Sequence, residues 1–167
     1  LAPWHDASML DTPFSPWPVY SAAEIEAVSK TLASGRVNYW TGQECRAFER
    51  EFARWCGVPH AVALANGTLA LDVALRALQI GPGDDVIVTP RTFMASVSCV
   101  VNAGARPVFA DVDPRTYQVT AATIAPKITR RTRAIVVTHI FGNACEMDEI
   151  LELAARSLFE LFEDASE

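Results

Sequence analysis

The stretch from His60 to Leu78 constrains the fold most. A short apolar run, His60-Ala61-Val62-Ala63-Leu64-Ala65, breaks at Asn66-Gly67-Thr68 and resumes with helical spacing, which predicts a strand, a tight turn and a helix. Gly67 lets the backbone come close to whatever lies above the turn, and the first amides of the following helix have no acceptor within it. An anionic group of about phosphate size is the natural occupant. The pattern is neither the GxGxxG fingerprint of dinucleotide sites nor a Walker loop. On this stretch alone, an ordinary strand-to-helix turn capped by Thr68 explains the residues equally well.

Upstream, Pro3, Pro13, Pro16 and Pro18 with Trp4, Phe14 and Trp17 predict an extended arm over residues 1–20 rather than regular structure. Ser21-Ala22-Ala23-Glu24 is a capping box that opens a helix through Ile25, Val28 and Leu32, ending at Gly35. A second box at Thr41-Gly42-Gln43-Glu44 opens a helix with Phe48, Phe52 and Trp55 on one stripe, ended by Gly57 and Pro59. Tyr39 and Trp40, in the loop between the two helices, form either a packed corner or part of a substrate wall.

From His60 the chain alternates. Strands are predicted at His60–Ala65, Asp85–Thr89, Pro107–Asp111, Ala134–Thr138 and Leu158–Phe162, with helices between them at Phe93–Ala103, from Thr120, and at Met147–Ala155. Apolar runs of strand length joined by helices specify an α/β fold, a mainly parallel sheet covered on both faces. At 167 residues, half of them hydrophobic, the chain can bury one substantial core. The net charge of -6 excludes a nucleic-acid partner, since no Lys and Arg cluster is present to displace counterions. No run of about 20 apolar residues marks a membrane span. The four cysteines have no CxxC spacing and no paired His, so no metal site is expected. Cys45 and Cys56, placed on one helix and separated along it by roughly 16 Å, cannot bond to each other. A reduced, cytoplasmic compartment fits these thiols.

In open α/β sheets ligands collect beyond the carboxyl ends of the strands. The residues there are Asn66-Gly67-Thr68, Arg91-Thr92-Phe93, Asp111 to Asp113, His139-Ile140-Phe141-Gly142 and Glu163 to Glu167. A phosphate-ready turn, an aromatic ring, an imidazole and a carboxylate would thus share one rim. That inventory suits a flat, phosphorylated, heteroaromatic cofactor. Read singly, a Phe that opens a helix, such as Phe93, is usually core, and an Asp after a buried strand, such as Asp164, is usually a cap or turn residue.

Taken together, Asn66-Gly67-Thr68, Gly81-Pro82-Gly83-Asp84-Asp85-Val86-Ile87-Val88, Thr92-Phe93-Met94-Ala95-Ser96, Ala103 to Asp113, His139-Ile140-Phe141-Gly142 and Glu163-Asp164 resemble the DegT/DnrJ/EryC1/StrS family over roughly residues 17–167. The match is to the N-terminal part of the large domain of pyridoxal-phosphate-dependent sugar aminotransferases with the aspartate-aminotransferase fold. The resemblance implies that residues 21–167 are a partial cofactor-binding domain. It implies that Gly67 and Thr68 bind the cofactor phosphate with Asn66 shaping the turn, and that Phe93 stacks on the pyridine ring. Asp164 would pair with the protonated ring nitrogen, keeping the ring an electron sink. Glu167 takes the position near the ring hydroxyl where the family often has Gln or His, and His139 falls in a block near the site.

The family's aldimine lysine lies beyond the Asp motif, and neither Lys30 nor Lys127, the only lysines, occupies a matching position. A truncated piece of a longer enzyme is therefore expected, inactive by itself. For the parent, the resemblance implies amino transfer from glutamate or glutamine to a keto group of a nucleotide-linked sugar, by a homodimer. A sugar 3-dehydratase with His in place of that lysine, and a non-catalytic binding protein that keeps the fold, stand as alternatives.

Overall fold

The structure, a computed structural model, describes residues 18–157 and 159–166. The proposed arm, apart from Pro18 to Tyr20, and the position of Glu167 lie outside the described residues. The chain forms two compact units, divided after Ala63.

In the first unit, α1 (Ala22–Ala33) begins at the capping box read from the sequence: the Ser21 hydroxyl accepts from the Glu24 amide and the Glu24 carboxylate accepts from the Ser21 amide. The second box does not form. α2 (Glu44–Cys56) starts at Gln43 with no side-chain cap, because Asn38 has taken Thr41. Its carbonyl oxygen accepts from the amides of Trp40 and Thr41 and from the Thr41 hydroxyl, folding that segment into a turn. Phe48, Phe52 and Trp55 share one stripe of α2, with ring centroids 5.4 and 5.7 Å apart along it, and Gly57 ends the helix at φ 69°.

The second unit carries a four-stranded parallel sheet in the order β2-β1-β3-β4. Its elements in chain order are α3 (Gly67–Ala77), β1 (Asp85–Val88), α4 (Ala95–Asn102), β2 (Arg106–Phe109), α5 (Ala121–Ile124), β3 (Thr132–Thr138), α6 (Met147–Ser157) and β4 (Glu160–Asp164). Strand periodicity divides the core in two. Val86, Val88, Ala134 and Val136 face one side, against Leu71 and Leu75 of α3 and Cys99 and Val100 of α4. Ile87, Ile135 and Val137 face the other, against Ile124 of α5 and Ile150 of α6. Helices on both faces of a parallel sheet are the expected architecture.

The strand expected at His60–Ala65 is not formed. No ladder bonds join these residues to a neighbour, and the Ala63 amide donates instead to the Glu49 carboxylate. Three of the six residues are alanine, which packs little on a pleated surface, and Val62 is left 74% exposed. A strand is stable only in a ladder, and among the described residues this run has none.

At the amino edge of the sheet, Asp85 is buried while accepting from Arg106 Nε at 2.8 Å and Nη2 at 2.7 Å and from the Thr129 hydroxyl at 3.0 Å. The Arg106 guanidinium holds its carboxyl below the usual carboxylate range. A lowered folded-state pKa stabilises above the ordinary carboxylate range and is lost as pH falls through the folded value. Arg106→Ala is therefore expected to destabilise the protein at neutral pH, with the difference shrinking below about pH 4. Urea denaturation of both proteins at the two pH values measures it.

Candidate functional site

The turn before α3 is built by Asn66. Its backbone is extended (φ -167°, ψ 169°) and its side-chain oxygen accepts from the Leu69 amide at 3.0 Å, so Asn66, not Thr68, is the cap. The next backbone bond runs from Ala70 to the Asn66 carbonyl. The amides of Gly67 and Thr68 are left without an acceptor among the described residues, at the positive end of an eleven-residue helix.

Gly67 is where the backbone must come close. A methyl group built on it would stand 2.8 Å from Ser166 Cβ and 3.0 Å from Ser166 Oγ. The start of α3 and the segment following β4 therefore approach each other as only a residue without a side chain allows.

Thr68 and Asp164 line the same cavity, of about 160 Å³, together with Gly67, Phe93, Ala95, Ser96 and Ser166. Four of the residues expected in the site, Gly67, Thr68, Phe93 and Asp164, are thus brought together. Asn66 sits immediately behind them as the cap. His139 stands outside that lining. Its Nδ1 accepts from the Cys145 amide at 3.2 Å, which leaves the ring proton on Nε2, 3.2 Å from the Glu163 carboxylate.

Asp164 ends β4 and is 6% exposed. Its Oδ2 accepts from the Ser96 hydroxyl at 2.7 Å, and its Oδ1 from the Ser166 hydroxyl at 2.6 Å and, at 3.4 Å, the Ser166 amide. Among the described residues no Lys, Arg or His forms an ion pair with it. A nearly buried carboxylate satisfied by two hydroxyls and one amide lacks a countercharge, and such a group gains most from a cationic donor brought by a ligand. Open amides at one end of the cavity and an acid without a cation at the other fit a small molecule with a phosphate and a protonatable ring nitrogen. The residues present suit pyridoxal phosphate.

A profile of known aminotransferases matches residues 18–167. The chain belongs to the DegT/DnrJ/EryC1/StrS aminotransferase family. GDP-perosamine synthase from Caulobacter vibrioides is 51% identical over 120 residues, covering 72% of this chain and 32% of that protein. An aminotransferase structure from Psychrobacter cryohalolentis superposes with a TM-score of 0.87 at 56% identity, covering 90% of this chain and 38% of that one. The pyridoxal-phosphate form of a sugar aminotransferase from Streptococcus pneumoniae superposes with a TM-score of 0.78 at 34% identity, covering 93% and 38%. The chain thus spans between 32% and 38% of the length of these members of the DegT/DnrJ/EryC1/StrS family, whose cofactor is pyridoxal phosphate. No helix among the described residues is long and apolar enough to cross a membrane.

Sequence reasoning missed Ser96 and Ser166, the two hydroxyls that hold Asp164. Ser96 carried a usable signal: a polar residue on the buried face of a helix whose neighbours Ala95, Cys99 and Val100 are all core. A buried serine needs an acceptor, and Asp164 is that acceptor.

Proposed function

We propose that the full-length protein carrying this chain transfers an amino group from glutamate or glutamine to a keto group on a nucleotide-linked sugar. The observation that carries the reading is the single cavity lined by Gly67, Thr68, Phe93 and Asp164. When bound, pyridoxal phosphate supplies an electron sink next to the reacting carbon and a carrier for the amino group. The amides of Gly67 and Thr68 would hold its phosphate, and Phe93 would lie against its ring. Asp164 would accept a hydrogen bond from the ring nitrogen and keep it protonated, since a carboxylate beside a nitrogen base favours the charged form. Glu167 is assigned to the ring hydroxyl and His139 to support of the site, its imidazole tying the loop after β3 to Glu163 of β4.

Neither Lys30 on α1 nor Lys127 in the turn after α5 lines the cavity. The amine that would bind the cofactor covalently and move protons is assigned to sequence downstream of Glu167. The sugar-nucleotide assignment draws on the GDP-linked product named for the Caulobacter relative. A cytoplasmic homodimer belongs to the same reading.

The test is spectroscopic. Adding pyridoxal phosphate and then glutamate or glutamine to the full-length protein is expected to shift the cofactor absorbance from its aldehyde to its amine form, and a spectrum that both donors leave unchanged would overturn the proposal. Residues 1–167 by themselves are expected to show no turnover.

A further inference from the structure

The hydroxyls around Asp164 form a directed array. A carboxylate only accepts, so the Ser96 hydroxyl spends its single proton on Asp164 Oδ2 at 2.7 Å. Ser96 Oγ then accepts from the Thr92 hydroxyl at 2.8 Å. The longer contact of Thr92, 3.2 Å to Thr138 Oγ1, becomes the weaker branch of the same proton. Thr138 is the last residue of β3 and stands in register with Asp164 of β4. Thr92 follows β1, and Ser96 lies in the first turn of α4. Three elements therefore fix the direction of one proton aimed at the acid.

The two sides of the carboxylate are unequal. Ser166, which serves Oδ1, lies in the exposed segment after β4, open to water and to whatever enters the cavity. Ser96 is 1% exposed and cannot exchange its acceptor for solvent. It is the fixed donor that sets where the carboxylate points.

We propose that Ser96 is a positioning residue for the cofactor's ring nitrogen: its buried hydroxyl, oriented by Thr92, holds the Asp164 carboxylate in the attitude that the nitrogen requires. The inference rests on the assignment of Asp164 to that nitrogen. It concerns a residue that need not touch the cofactor. A hydrogen bond to a charged group that fixes a second such bond is worth about a tenfold change in affinity.

The experiment compares cofactor dissociation constants of the full-length protein for pyridoxal phosphate and for its 1-deaza analogue, in which carbon replaces the ring nitrogen. Ser96→Ala is expected to weaken pyridoxal phosphate about tenfold and the analogue less than about twofold, because the lost hydroxyl acts only through Asp164 and the nitrogen. Thr92→Val, nearly isosteric, removes the donor behind Ser96 and is expected to give the same selective loss at about threefold. It serves if Ser96→Ala does not fold, and Ser96→Thr, which keeps the hydroxyl, should restore the preference. Equal weakening of both ligands, or none, overturns the proposal. Asp164→Ala run alongside separates the failures. If it distinguishes the two ligands while the Ser96 and Thr92 variants do not, only the positioning role falls. If it too treats them alike, the assignment of Asp164 is wrong and the proposal falls with it.

Discussion

Asp164→Ala in the full-length protein is expected to lower the transamination rate by about 10²–10³-fold while leaving stability within about 1 kcal/mol. The rate falls because the only carboxylate among the described residues that line the cavity is gone, and with it the charge that would favour a protonated ring nitrogen. Stability survives because two effects oppose each other. The substitution removes a nearly buried anion that has no countercharge among the described residues, which relieves the fold. It also deprives the Ser96 and Ser166 hydroxyls of their acceptor, but Ser96 can turn toward Thr92 and Ser166 faces water. Asp164→Asn should be no better a catalyst than Ala: one face of its amide presents N–H donors to hydroxyls that already donate. Single-turnover rates with glutamate, read beside urea denaturation of the same samples, check both halves. A loss of activity that tracks a loss of stability would make Asp164 a structural residue.

The parallel sheet and its buried strands were legible because each of those strands carries its own signal. Val86-Ile87-Val88 and Ala134 to Val137 are continuous apolar runs, and each run splits by period two between two helical layers. Asp164 could be placed at a rim because topology puts every strand's carboxyl end on one side, whereas Gly67 was placed there by way of a strand that does not form and reaches the cavity as the first residue of α3. What could not be read were features decided by partners distant in sequence. His60–Ala65 has the length and hydrophobicity of a strand, but pairing is a property of two segments, and here its Ala63 amide bonds to a helix carboxylate. The Thr41 box matches its motif and still loses to Asn38, whose side chain satisfies three donors at once. The Ser96–Asp164 bond joins residues 68 positions apart, and no local pattern encodes such a contact.

Gly67→Ala is expected to weaken pyridoxal phosphate binding by more than about tenfold and to destabilise the protein by about 1–3 kcal/mol. The cause is space rather than backbone freedom. Gly67 lies in the first turn of α3 with φ outside the left-handed region, so alanine would suit the helix itself. The added methyl, however, meets Ser166 Cβ at 2.8 Å, closer than carbon atoms approach, and Ser166 Oγ at 3.0 Å. Either α3 or the segment after β4 must withdraw. Withdrawal of α3 carries the open Gly67 and Thr68 amides away from the acid end of the cavity, and withdrawal of the other segment takes the Ser166 hydroxyl from Asp164 Oδ1. Both lengthen the span that one small molecule has to bridge. Gly81→Ala is the matched control, since its methyl would meet only the Ala103 carbonyl, at an ordinary 3.6 Å. It should leave cofactor affinity unchanged. Titration of the cofactor into both variants, with thermal melts of each, tests the argument: equal affinities would mean that the close approach of Gly67 to Ser166 does not shape the site.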